Sequence, residues 1–382
     1  LNFFVKILPW RAQSLLGYRP EGVIDAEAFK KLSGIKVIEK HYPVKLDAVL
    51  PPVHVEEELH DKFKAITIER IREFCSDFFC ADIGRASQLE LENPTTTIKD
   101  NKIVLPLSFD SNRRATHPAL SIIEYPKKRK LKGKCLTLTT SGAINNYFYW
   151  TLVLSQKIGF LKSCGYSLDE MDYILINKPT YQFQMELIDL FDIPKEKIIE
   201  TKIGDFIECE QMIALPRLRD NYFGFEFVRE TMLNKIPKKS VSEKRLRIYC
   251  SRRMNKTGRR IENEMELEVF LKDYGFETII FEDFSVIEQA ALMNNTEIFI
   301  APHGAGMTNI IYAEHRTKII ELHNKNIVNP VYWISAMYTK LDYAYLLCDG
   351  VAAQDQKITE HLKNIEVDIP KLKRLFDKME IV

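Results

Sequence analysis

Three short stretches of this 382-residue chain hold residues whose types and spacing could do chemistry. The first is Ala301-Pro302-His303-Gly304-Ala305-Gly306-Met307-Thr308-Asn309, where an apolar run stops on a histidine inside a glycine turn and a helical pattern follows. The first N–H groups of a helix have no partner within it and carry partial positive charge, so such a turn suits an anion, phosphate above all. His303 can add a donor aimed at the same place. Gly304 and Gly306, on either side of Ala305, let the backbone approach a ligand closely, and Thr308 and Asn309 in the first turn could hydrogen-bond it. The competing reading is a tight strand-to-helix turn with no ligand. The stretch is not a full GxGxxG, because Asn309 stands where the last glycine would be, and no GxxxxGK occurs in the chain.

The second stretch is Ser251–Arg260, SRRMNKTGRR, which follows an apolar run and holds Arg252, Arg253 and Asn255. Guanidinium forks match phosphate geometry and Asn255 could add a donor; a solvated arginine loop is the alternative. The third is Glu321, expected at the end of the β run KIIEL. In an open α/β sheet ligands bind outside the carboxyl ends of strands, where a carboxylate suits ribose hydroxyls. Arginines, a glycine-rich helix start and an acid, each at a strand exit of one sheet, ask for a nucleotide diphosphate.

The elements that must position these groups follow a regular rhythm. From Cys135 the pattern reads CLTLTT strand, SGAINN turn, a helix to Gly165, YILIN strand, a helix over Tyr181–Phe191, and short β runs near Ile198 and Met212. That is β-α-β-α-β, a parallel sheet covered by helices. After a charged, turn-rich break the rhythm restarts: strand Leu246–Cys250, helix Ile261–Asp273, strand TIIFE, a helix opened by the Ser285/Glu288 capping box, then EIFIA, MTNIIYA, KIIEL, NPVYWISAMYTKL, YAYLL and a closing helix PKLKRLFDKME. The expected architecture is α/β with two Rossmann-like doubly wound domains: 101–240 on the acceptor side and 241–382 binding the donor, its final helix a candidate to return to the first domain. Residues 1–100 read as an irregular extension packed on the first domain, with a helix inside Glu56–Cys80 carrying Phe63, Ile66, Ile71 and Phe74, and a strand over Asn101–Leu107.

Composition narrows the classes. Lys+Arg is 54 against Asp+Glu 53, a net charge of +1, which argues against a general nucleic-acid binder. The seven cysteines form no CxxC and read as reduced thiols of a cytosol-like compartment. No run approaches the ~20 apolar residues of a spanning helix. The apolar start LNFFVKILPWRAQSLLGY and the basic run PKKRKLKGK (Pro126–Lys134) are candidates for peripheral contact with a membrane surface, against the alternatives of a packed segment and a solvated linker.

The series SRR, S-x-x-EQ (Ser285–Gln289), APHGAGMTN and KIIEL resembles glycosyltransferase family 61, whose members include bacterial polysaccharide enzymes, plant xylosyltransferases and O-linked N-acetylglucosaminyltransferases. The resemblance runs from about Leu246 to Leu322 and extends more weakly to NNYFYW (Asn145–Trp150). It implies two facing domains of the GT-B arrangement and an inverting transfer from a nucleotide-activated sugar, commonly a UDP-sugar. By that similarity His303, Gly304, Ala305 and Gly306 hold the donor diphosphate with Arg252, and Glu321 faces the nucleoside. Similar sequences carry histidine where this chain has Tyr149, and a phenol with pKa near ~10 is a poor base at neutral pH.

The resulting expectation is an inverting, metal-independent glycosyltransferase acting on a saccharide or glycoconjugate hydroxyl in polysaccharide or glycolipid assembly. It needs no cofactor beyond its nucleotide-sugar substrate, binds no nucleic acid, and is cytoplasmic or membrane-associated. No D-x-D occurs in the chain, which fits metal independence. Asp110, His117 and Tyr149 are the open candidates for the general base, with Asn146, Tyr147 and Trp150 on the acceptor side. A non-catalytic nucleotide-sugar-binding protein and a Rossmann-type oxidoreductase are the alternatives.

Overall fold

The computed structural model describes residues 20, 22–44, 51–66, 74–91, 95–108, 117–122, 124–140, 142–143, 145–216, 218, 222–237, 245–255, 258–351 and 363–382. It is a mixed α/β chain with two compact units. Unit 1 comprises Leu1–Tyr42 and Ser76–Gly224; unit 2 comprises Pro43–Cys75 and Phe225–Val382. The division falls inside a helix, Tyr222–Leu233, a little before the break read near residue 240.

The described part of 1–100 is not irregular. It supplies β1 (Gly22–Ile24), β2 (Lys36–Val44), β3 (Phe74–Asp82), β4 (Ala86–Glu90) and β5 (Thr95–Lys99), and the strand expected over Asn101–Leu107 is β6 (Lys102–Val104). The other strands of unit 1 are β7 (Arg129–Thr137), β8 (Tyr173–Asn177), β9 (Ile198–Thr201) and β10 (Phe206–Ala214). They form one sheet in the order β1-β6-β5-β4-β10-β7-β8-β9, with β2 and β3 beside this path. Its parallel block β10-β7-β8-β9 is the β-α-β-α-β unit of the sequence, whose helices are α1 (Ser155–Ser163), preceded by a π-helical turn Tyr149–Leu154, and α2 (Gln182–Leu190).

The basic run Pro126–Lys134 is no linker. Most of it lies in β7, with Lys128 and Lys130 paired to Glu208 and Lys134 to Glu170. Among the described residues six cysteines are free and buried, and no helix is long and apolar enough to cross a membrane. The apolar start LNFFVKILPWRAQSLLGY lies outside the described residues.

Unit 2 holds β11 (Leu246–Cys250), β12 (Glu277–Ile279), β13 (Thr296–Pro302), β14 (Lys318–Asn324), β15 (Asp342–Gly350) and β16 (Ile365–Glu366), in the order β12-β11-β13-β14-β15-β16. All pairs are parallel except the last. The chain goes out from β11 to β12 and returns to β13 on the other side, so the strand order reverses between β11 and β13. Side chains alternate across a strand. Ile298/Ile300, Ile320/Leu322 and Ala344/Leu346 therefore share one face, in a core with Leu267 and Leu271 of α3 (Glu264–Asp273) and Leu372, Leu375 and Phe376 of α4 (Ile369–Lys378). The final helix packs in this core of unit 2. Burial on both faces explains why these strands read as continuous apolar runs.

Among the described residues of Glu56–Cys80 the helix is one turn, α5 (Asp61–Lys64); Phe74 lies in β3 and Ile71 outside the described residues. Its segment is bound to β15. Val53 N–H donates to the Tyr343 carbonyl at 3.0 Å, and Tyr345 N–H to the Val53 carbonyl at 3.0 Å. Phe63 is fully buried, stacked on Tyr345 at 4.3 Å and edge-on to Trp333 at 5.4 Å. We predict that Phe63→Ala costs about 3–5 kcal/mol, as truncation of a buried aromatic does. Urea unfolding followed by hydrogen exchange in β14 and β15 checks it; unchanged stability would mean that this segment is not part of the unit 2 core.

Candidate functional site

The three stretches singled out in the sequence converge in unit 2. Cys250 ends β11 and Pro302 ends β13, so Arg252 and His303 leave adjacent strands at the point where the sheet order reverses. This is where an open α/β sheet leaves a crevice. Gly304 has extended backbone and caps a 3-10 helix, Ala305–Tyr312, where the sequence predicted a helix. A Cβ on Gly304 would overlap the Arg252 guanidinium. The glycine thus gives room to an arginine laid against the backbone. Gly306 faces the Phe281 ring and the Cys250 thiol, 3.3 and 3.6 Å from where its Cβ would stand.

Arg252 and Arg259 are the charges of this site. Burial pushes both guanidiniums below the ordinary arginine value, and for Arg259 the like charge of Arg252 adds to the effect. Their Nε atoms are buried without a hydrogen-bond partner, and no described carboxylate lies within ion-pair distance of either. Arginine stays charged in any protein setting, so two half-buried, uncompensated guanidiniums are costly unless an anion joins them. Arg259 was not singled out in the sequence, although it stands in the quoted SRRMNKTGRR stretch; its left-handed φ of 59° after Gly258 is not legible from residue types.

Arg253 does not join this pair. It is held by Glu264 at 3.3 Å and by Glu268, and its Nε–H donates to Ser251 Oγ at 3.0 Å. Asn255 N–H closes the loop onto the Arg252 carbonyl at 2.9 Å. Thr308 and Asn309 are fully buried, and Asn309 Nδ2 donates to Gln289 Oε1 at 2.9 Å, which ties the turn to the capped helix Val286–Asn294.

Glu321 departs most from its sequence reading. β14 continues three residues past it, to Asn324, so it is an interior strand residue with no exposure and not a rim acid. It lies on the sheet face opposite the helix-packed core. Its Oε1 accepts from His303 Nδ1, its Oε2 from the Tyr343 hydroxyl at 2.6 Å, and His323 Nε2 lies at 3.5 Å. Burial alone would raise its pKa; His323 and His303 outweigh this and hold it well below the usual carboxylate range. Burial pushes His303 down from the ordinary histidine value, with Glu321 opposing. A carboxylate on Nδ1 fixes the proton there, leaving the Nε2 lone pair for the site. The His303 ring is 18 % exposed and lies 5.2 Å from the His323 ring and 5.4 Å from that of Tyr332. Burial also pushes the Tyr332 phenol upward, with Arg252 and Arg259 close enough to pull it back.

The remaining sequence-derived residues belong to unit 1. His117 is fully buried, and its Nδ1 accepts from Ala119 N–H at 3.3 Å, capping the turn Pro118–Ser121. The Tyr149 ring packs against Gly142, whose Cβ would stand 2.9 Å from it. Asn146 Oδ1 accepts from Phe148 N–H at 2.9 Å, the Trp150 indole donates to the Ala143 carbonyl, and the Tyr147 ring meets Phe183 edge-on at 5.4 Å. This set thus packs and caps the start of its helix. Asp110 lies outside the described residues.

A variant tests the role assigned to Gly304. Gly304→Ala is expected to displace the Arg252 guanidinium, which can swing at its far end, while the thermal midpoint falls by the equivalent of no more than about 1 kcal/mol. A crystal structure of the variant with Arg252 unmoved would overturn this.

Comparison with known proteins adds an independent observation. No curated protein matches the chain. A family model described as Glycosyltransferase 61 matches residues 157–320, a span that includes Arg252, Arg259 and the whole turn from His303 to Asn309, and stops just before Glu321. His117, Asn146, Tyr147, Tyr149 and Trp150 fall outside it. Over these residues, with its arginines gathered on a glycine-rich strand exit, the chain is similar to glycosyltransferase family 61.

Proposed function

We propose that this protein moves a sugar from a nucleoside-diphosphate donor, a UDP-sugar in the first instance, to a hydroxyl of a saccharide or glycoconjugate, with inversion and without a metal ion. In this reading the chain is of the two-domain GT-B kind, serves polysaccharide or glycolipid assembly, and holds the donor in unit 2. The observation that carries it is the pair Arg252 and Arg259, half-buried and without a described carboxylate in ion-pair distance at the switch point of a parallel sheet. Two such guanidiniums fit a ligand whose negative charge is spread over several oxygens, as in a diphosphate.

The chemistry follows. The acceptor hydroxyl gives its proton to a general base as its oxygen attacks the anomeric carbon, the new C–O bond forms as the bond to the diphosphate breaks, and the nucleoside diphosphate leaves with the electron pair. Charge builds on the diphosphate in the transition state, where fixed guanidiniums contribute most. Bound phosphate also favours a proton on His303 Nε2, with Glu321 stabilising the imidazolium.

A divalent ion is the direct rival, because His303, Glu321 and His323 bring ligand-type atoms within 4.8 Å of one another. In the reading proposed here the cluster is instead linked by protons, Glu321 accepting hydrogen bonds from His303 and Tyr343. Activity should therefore persist in EDTA, and a strict requirement for added metal would establish the rival.

Calorimetric titration with UDP, GDP, CDP and dTDP tests the donor site. Arg252→Ala and His303→Ala should each weaken the best nucleotide by about tenfold or more, the loss expected of a charged hydrogen bond worth ~1.5–3 kcal/mol. Unchanged affinity in both variants would remove the diphosphate reading.

A further inference from the structure

Unit 1 contains a cavity of about 300 Å³ that the donor site does not use. It opens at the carboxyl ends of the parallel strands β7, β8 and β9, lined by Thr140, Asn177 and Thr201, with Glu90 at the end of β4. Small-molecule sites occupy this position in α/β sheets, and this volume is at the small end of their range.

Glu90 is the unusual member. It is 3 % exposed, its Oε1 is buried without a hydrogen-bond partner, and its Oε2 accepts from Thr95 Oγ1 at 3.2 Å. Its backbone is fixed from both sides, with Glu90 N–H donating to the Asp205 carbonyl at 2.9 Å and Gly204 N–H to the Glu90 carbonyl at 2.8 Å. The carboxyl is therefore held in place over the cavity. A buried acceptor with no donor is a cost that a ligand hydroxyl would relieve.

The surroundings select the ligand. The Glu90 carboxylate disfavours an anion, and Lys157, Lys178 and Lys202 disfavour a cation. Threonine hydroxyls at 95, 140, 180 and 201 both donate and accept, which suits a neutral ligand carrying several hydroxyls. Tyr181, directly after the lining residue Thr180, leaves half its surface exposed and stacks on Phe183 at 5.8 Å, an aromatic face of the kind that sugar rings cover.

We propose that this cavity binds a saccharide and that the Glu90 carboxylate accepts a hydrogen bond from one of its hydroxyls. The assignment of that saccharide as the transfer acceptor rests on the transferase reading above.

Burial pushes Glu90 up to about 7, with Thr139, Thr95 and Lys157 pulling it back and Asp205 adding to the rise. The carboxylate is the stronger acceptor, so saccharide binding should tighten as pH rises through neutrality. Folding runs the other way: a carboxyl whose folded value lies above its unfolded one costs stability as pH rises from the unfolded value through the folded one. Glu90→Gln, which cannot ionise, should therefore gain thermal midpoint over the wild type at about pH 8 and not at about pH 5.

The test is saturation-transfer NMR on the full chain with methyl β-D-glucopyranoside, methyl β-D-galactopyranoside and methyl β-D-xylopyranoside at about pH 6 and about pH 8. At least one probe should bind, more tightly at the higher pH. In Glu90→Gln it should bind about tenfold more weakly and without the pH dependence. Ile203→Trp, at an exposed position on the cavity rim, should block binding while leaving the fold intact. Binding of no probe while UDP still binds would overturn the cavity proposal and leave the donor site standing. Binding of a probe without binding of any nucleotide would keep the cavity as a saccharide site and sink the transferase reading. Equal affinity and pH dependence in wild type and Glu90→Gln would remove Glu90 from the site.

Discussion

A single carboxylate buried in the middle of β14 constrains much of unit 2. Glu321 has no access to water, so its charge must be met by donors from its neighbours, and it is met by His303 and Tyr343, with His323 close by. These come from three places: the turn after β13, the next strand β15, and β14 itself. Replacing any of them would leave a buried charge short of a partner, which costs far more than the bond itself gains. The register between the three strands, the direction of the His303 ring and its tautomer are thus one problem with one solution. An imidazole at a strand exit is ordinarily free to rotate; here it is held before any ligand arrives.

The same economy of space governs the turn. Arg252 lies where a side chain on Gly304 would have to be, and Asn309 is tied to Gln289, which in turn donates to the carbonyls of Phe281 and Phe284. Strand exits, 3-10 helix and capped helix therefore reinforce one another, and the Arg252 guanidinium lies against the turn between them. Preorganised charge is what stabilises a leaving group, because little reorganisation is left to do when the bond breaks.

Much of this was legible in the residues. The alternation of β runs with amphipathic segments located the parallel strands of both units, since doubly buried strands are continuous apolar runs and little else in a soluble chain looks like them. The Ser285/Glu288 capping box was readable because its chemistry is local. What was not readable depends on distant partners. Glu321 looked like a rim acid because the following His323 and Asn324 are polar, yet both lie inside β14. Arg253 and Arg259 have the same side chain, and only the placement of Glu264 and Glu268 on α3 neutralises one and spares the other. Basic residues in Pro126–Lys134 suggested a linker because strand β7 carries its lysines against carboxylates far along the chain. Glu90 gave no signal at all: its burial comes from the loop before β10, more than a hundred residues away.

The bridge between Val53 and β15 has a consequence for how the chain is made. Val53 meets Ala344, so nearly three hundred residues must be synthesised between the two halves of this contact. When translation reaches Gly224, every residue of unit 1 has been made, but unit 2 consists only of the segment from Pro43 to Cys75, which has no strand to join. Phe63 and its apolar neighbours then wait, unburied, until the last parallel strand emerges. Such late closure raises contact order and lengthens the time for which apolar surface is exposed to other nascent chains. The segment around Val53 is thus the part of unit 2 that is made first and closed last.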